Sequence, residues 1–192
     1  MTEVILGLDL SVSCSGWALL SLREDRVIAY GKVVTVLPKK KDRPADIYFK
    51  RVQKVVDVID EVFARKDVQI VAVGVEQLNY FRGIDTARDL LGVSKVVQHH
   101  IWKAYGLMPN EINTTTAKKA FTGRGDALKT LVLVIANTHF KLSPPLIWVE
   151  PEKDKNHTSD DGISDAISIA WTLRLEIKDR LTKAIDNSAA KA

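Results

Sequence analysis

The segment Val4-Ile5-Leu6-Gly7-Leu8-Asp9-Leu10-Ser11 decides the reading of this chain: an apolar run interrupted by one glycine delivers a carboxylate at its end. A short apolar run of this kind suits a strand covered on both faces. Working outward, Gly16-Trp17-Ala18-Leu19-Leu20-Ser21-Leu22 resumes a strand pattern, and the charged tip Arg23-Glu24-Asp25-Arg26 reads as a hairpin turn. Residues 27–36 then return as a third strand.

Apolar residues at 47, 52, 55, 56, 59, 62 and 63 fall at helical spacing, which predicts a helix over about 46–65. Residues 68–75 are rich in Val and end in Glu76, the pattern of a second buried central strand. A helix follows over 86–105, weakened in its middle by Gly92, then a candidate strand over 108–114. A short helix over 116–121, a turn over 122–125 and a longer helix over 127–140 come next. Residues 142–157 are irregular, with Pro144, Pro145 and Pro151, and the last helix is expected over about 160–183. No repeat or linker divides the chain, so residues 1–186 read as one domain and 187–192 as a disordered tail. A strand–crossover–strand connection sets later strands parallel to the first. The expected product is an α/β fold: a mixed five-stranded sheet, three antiparallel strands and then two parallel ones, flanked by helices.

The chain has 192 residues, 28 Lys and Arg against 24 Asp and Glu, and a single cysteine, Cys14. One cysteine excludes a disulfide scaffold and a multi-cysteine zinc site. The opening residues show no secretory pattern, and the longest apolar run, 131–136, is far short of the roughly 20 residues of a membrane span. A cytoplasmic protein without membrane contact is expected. The net charge of +4 conceals an uneven distribution: residues 150–165 hold six acids against two bases, and residues 37–54 hold seven bases against two acids.

Asp9, Glu76, Asp161 and Asp165 interrupt apolar surroundings, where a charge is costly unless it is paired or holds a metal. Strand ends of neighbouring parallel strands meet at one edge of an open sheet, where ligands bind. Asp9 and Glu76 would face each other there. Asp161 and Asp165, four apart, share one face of the last helix. An all-oxygen cluster suits Mg2+ or Mn2+ rather than zinc. Two such ions can activate a water and stabilise the leaving oxygen in phosphodiester hydrolysis. The bland alternatives are a turn residue for Asp9 and helix caps for Asp160 and Asp161.

These same residues carry a family resemblance. Ile5-Leu6-Gly7-Leu8-Asp9-Leu10-Ser11, with Ser15-Gly16-Trp17-Ala18, resembles the first motif of RuvC-type Holliday-junction resolvases. Val73-Gly74-Val75-Glu76-Gln77 resembles the second motif, and Asp161-Gly162-Ile163-Ser164-Asp165-Ala166-Ile167-Ser168-Ile169-Ala170 the third. Thr116-Ala117-Lys118-Lys119-Ala120-Phe121-Thr122-Gly123-Arg124-Gly125 resembles the basic stretch that the family lays along DNA. The resemblance implies a ribonuclease H-like fold, a homodimer, and Mg2+-dependent paired nicking of four-way DNA junctions in recombination and repair, with two ions per active site and Mn2+ able to substitute. It maps the metal ligands onto Asp9, Glu76, Asp161 and Asp165, with Asp9 bridging the ions and Lys119 or Lys118 neutralising charge on the phosphate. In many members the acidic or histidine residue of the last motif stands three positions before the final Asp, where this chain has Gly162; Asp161, one residue earlier, shares that helix face.

Two basic clusters qualify for phosphate contact: Lys39, Lys40, Lys41 and Arg43 in one, and Lys118, Lys119, Arg124 and Lys129 in the other. Each also reads as a solvated surface. Tyr80, Phe81 and Arg82 follow the second acidic strand, and the resemblance implies that an aromatic there wedges against unpaired bases at the junction centre. Leu90, Leu91, Val93, Val96, Val97 and Ile101 exceed one helix face, which makes that helix the expected dimer element. His99 and His100 read as surface or interface residues, and His157 as part of a polar loop. The competing readings are a related nuclease acting on RNA or on other branched DNA, a sugar-kinase-like nucleotide-binding domain, and a noncatalytic nucleic-acid binder. The second needs a longer chain with another phosphate loop; the third is expected to have lost carboxylates that are all present here.

Overall fold

The computed structural model describes residues 1–35, 46–78, 84–150 and 159–189. Lys39, Lys40, Lys41, Arg43, Tyr80, Phe81, Arg82 and His157 lie outside the described residues. The elements run β1 (Thr2–Asp9), β2 (Cys14–Ser21), β3 (Val27–Val34), α1 (Ile47–Phe63), β4 (Val68–Gln77), α2 (Ile84–Tyr105), β5 (Asn110–Asn113), α3 (Thr114–Thr122), α4 (Lys129–Phe140) and α5 (Asp161–Ala189). The sheet order is β3-β2-β1-β4-β5, with β1, β2 and β3 antiparallel and β4 and β5 parallel to β1. This is the mixed five-stranded sheet expected from the sequence. Among the described residues no helix is long and apolar enough to cross a membrane.

Strand alternation sorts the side chains into two layers. Val4, Leu6 and Leu8 of β1 and Val73 and Val75 of β4 pack with Val55 and Ile59 of α1 and with Val93, Val97 and Ile101 of α2. Ile5 belongs to the other face, with Ile169, Ala170 and Leu173 of α5. Each such side chain, fully buried, contributes about 1.5–3 kcal/mol. By the same alternation Gly7 and Asp9 follow Ile5, and Gly74 and Glu76 follow Ala72, onto the α5 face. The last pair of the β1–β4 register is Leu8 with Val75, so Asp9 and Glu76 are next in line at the carboxyl edge.

Glycine lets α5 lie directly on the sheet. A Cβ on Gly7 would stand 2.0 Å from the Ala166 carbonyl oxygen, and one on Gly16 2.1 Å from that of Gly162. Any larger residue at either position would lift the first turns of α5 away from Asp9. Farther along, buried Arg174 holds the β2–β3 turn through the Glu24 carbonyl at 2.7 Å and Asp25 Oδ1 at 2.5 Å. The helix continues to Ala189, beyond the end near 183 expected from the sequence and into the stretch read as tail. No glycine or proline stops it, and Asp179–Lys183 at 2.6 Å and Glu176–Arg180 at 3.5 Å pair one turn apart.

Candidate active site

Asp9, Glu76, Asp161 and Lys129 line one cleft of about 290 Å3 at the carboxyl edge, together with Ser11 and Cys14. Asp165 lies one helical turn after Asp161, and its charge acts on Asp9. Burial, reinforced by the like charges of Asp165 and Glu76, holds the Asp9 carboxyl well above the usual carboxylate range, and Lys129 opposes the shift. Asp165 is pushed up to about 6, first by burial; Lys129 and Lys118 pull it down while Glu76 and Asp161 push it up. Its Oδ1 is buried without a hydrogen-bond partner. Glu76 Oε1 accepts a hydrogen bond of 2.5 Å from the Thr114 hydroxyl.

Lys129, at the start of α4, reaches into this cluster, with Nζ 2.5 Å from Asp161 Oδ2 and 3.8 Å from Asp165 Oδ2. Burial lowers the lysine's pKa, but Asp165, Asp161 and Asp9 more than reverse this, so the ammonium is held above its usual range. The sequence placed Lys129 with the DNA-contacting lysines; the structure brings it among the carboxylates. Of the neighbouring pair, Lys118 is half-buried with its charge felt at Asp165, whereas Lys119 is exposed. Arg124 is exposed and paired with Asp126 at 3.0 Å.

Among the described residues no three His, Cys, Asp or Glu side chains stand close enough together to grip a metal ion as they are placed. The donor set nonetheless fits a hard divalent cation: four carboxylates share one edge, two carry raised pKa values, and Asp165 Oδ1 is buried and unpaired. A Cβ at Gly162 would stand 3.2 Å from Asp9 Oδ2, so that helix position faces Asp9 while contributing no donor of its own.

His100 has Nε2 2.6 Å from Asp60 Oδ1, and Asp60 Oδ1 also accepts from the Tyr105 hydroxyl at 2.7 Å, which ties α1 to α2 away from the cleft. His99 lies against Trp102. In the expected dimer helix, Val93, Val97 and Ile101 belong to the chain's own core and Leu90 lines the cleft, whereas Leu91, Val96 and Trp102 are exposed.

No family model matches this chain, and no curated protein does. Among the solved structures similar to it are two of RuvC. One is T. thermophilus RuvC in complex with a Holliday junction substrate, with a TM-score of 0.63 and 20% identity over 88% of this chain and 91% of that one. The other is a structure of Thermus thermophilus RuvC, with a TM-score of 0.62 and 21% identity over 88% of this chain and 92% of that one. The fold is RuvC-like. At this identity the likeness to RuvC speaks for the fold, and the chemistry rests on the side chains described above.

Proposed function

We propose that this protein is a structure-selective DNA endonuclease that resolves four-way junctions by Mg2+-dependent hydrolysis of paired phosphodiesters. The observation that carries the reading is the gathering of Asp9, Glu76, Asp161 and Asp165 at one sheet edge of a RuvC-like fold. The RuvC neighbour bound to a Holliday junction substrate supports four-way DNA as the substrate. These four carboxylates would hold the divalent cations, Mg2+ or Mn2+. When bound, such cations neutralise the scissile phosphate and lower the barrier to attack by water.

The chain's own residues account for the rest. Desolvation and neighbouring like charges make Asp9 and Asp165 hold their protons more tightly than ordinary carboxylates, a cost that a bound cation would relieve. Lys129 holds Asp161 in the cleft and offers a positive charge beside the reacting phosphate. Lys118 lies on the same side, and Lys119 and Arg124 extend positive charge outward along the DNA. The described residues of one chain form one such cleft, so paired cuts call for two copies, and exposed Leu91, Val96 and Trp102 on α2 supply apolar surface for their association.

The test is incubation with labelled four-way junction, linear duplex and RNA–DNA hybrid, with and without Mg2+. Paired nicks in the junction alone, dependent on Mg2+, are expected. Preferential cutting of the hybrid would assign the chain to RNA-directed nucleases of the same fold.

A further inference from the structure

We infer that Thr114 is a positioning residue for Glu76, a role that makes cation capture depend on the seating of α3; this rests on the nuclease reading above. Thr114 is the first residue of α3, directly after β5. The β4–β5 register pairs Gln77 with Asn113, which brings the next residue, Thr114, to the end of the strand that carries Glu76. The Thr114 hydroxyl donates to Glu76 Oε1 at 2.5 Å, a hydrogen bond strengthened by the carboxylate charge.

Helix capping does not account for this hydroxyl. The Asn113 side chain already caps α3, with its Oδ1 accepting from the Thr115 and Thr116 amides at 2.9 and 3.3 Å. Thr114 is therefore free to serve Glu76. A carboxylate with one oxygen held by a fixed donor presents the other at a set angle, which is the task of the outer partners that surround metal-ligating carboxylates. The same helix carries Lys118, whose charge acts on Asp165. Thus α3 acts on the site at two points, and any shift that seats its lysines against a phosphate backbone also moves the group that orients Glu76.

The direct probe is Mn2+ binding to the full chain, followed by calorimetry, for the wild type, Thr114→Val and Thr114→Ser. Valine keeps the shape and removes the donor; serine keeps the donor. Loss of such an outer partner weakens metal binding about 10- to 100-fold, so Thr114→Val should fall by that factor, while Thr114→Ser stays closer to the wild type. The Mg2+ concentration for half-maximal cleavage should rise in parallel, with junction affinity in EDTA unchanged. Should valine at the helix start prevent folding, Thr114→Ala carries the same expectation. Wild-type Mn2+ affinity in Thr114→Val, or equal loss in Thr114→Ser, would overturn the role assigned to Thr114 and leave the nuclease reading intact. A wild-type chain that binds no Mn2+ would overturn both.

Discussion

Lys129 Nζ lies 2.5 Å from Asp161 Oδ2, so a lysine from the start of α4 meets the carboxylate cluster directly in the free chain. Asp161, Asp165 and Asp9 all act on that ammonium, which ties α4 to the first turn of α5 at the carboxyl edge of the sheet. Lys129→Met therefore leaves mutually repelling carboxylates without their counter-charge. The side chain is 48% exposed, which limits the loss to about 1 kcal/mol. That corresponds to a Tm lower by roughly 2–4 °C in EDTA, with Mg2+ raising the Tm of the variant more than that of the wild type. Scanning calorimetry decides it, and an unchanged Tm in EDTA would speak against the lysine's compensating role.

The contribution of Asp165 to the stability of the metal-free chain should fall as pH rises from about 4 to about 6. Carboxylates held low by ion pairs, such as Asp25 and Glu111, follow the opposite trend. Asp165 binds its proton more tightly folded, at about 6, than at its ordinary value of 3.8, so its contribution is complete below the lower value and lost through the upper one. The span corresponds to at most about 3 kcal/mol. Asp9, raised for the same reason, acts in the same direction. The check is the urea midpoint against pH in EDTA for the wild type and Asp165→Asn; the wild type should lose stability relative to the asparagine variant across this window. A wild-type profile that climbs across this window as steeply as that of Asp165→Asn would be inconsistent with the buried carboxyl.

Gly16→Ala places a methyl group where the Gly162 carbonyl now stands, 2.1 Å from the ideal Cβ. The first turn of α5 must move, at a cost of about 1–3 kcal/mol or more. Because Asp161 and Asp165 travel with that turn, cleavage should fall further than stability does. Paired urea melts and cleavage rates separate the two effects.

Lys118→Ala with Lys119→Ala should weaken junction binding and reduce the slope of log affinity against log salt by about 1 for each phosphate contact removed. Binding titrations across a series of salt concentrations measure it. An unchanged slope would take α3 out of the DNA path.

The central strands were legible because β1 and β4 carry apolar residues on both faces and each has an acid at or next to its carboxyl end, a pattern that survives without knowledge of the neighbours. The four-residue β5 was harder to delimit: only Ile112 in it is buried, too thin a signal to fix its ends. The four carboxylates could be named from position. The Thr114–Glu76 contact could not, because it depends on the register between two parallel strands. Nor could the difference between Lys118 and Lys119. With about 100° of turn per residue, buried Ala117 sends Lys119 to roughly the opposite side of α3, while Lys118 keeps to its flank. Which residue of α3 is buried follows from its packing on α5, and no local pattern announces that.

The most direct test of the account is Asp9→Asn assayed on a labelled four-way junction with Mg2+, alongside the wild type. Asp9 is the half-buried carboxylate on which the charges of Asp165, Glu76 and Lys129 all act, and asparagine keeps its size while removing its ionisable group. Paired, Mg2+-dependent nicks are expected from the wild type, and junction binding without nicking from the variant. Cleavage by Asp9→Asn at the wild-type rate would contradict the account.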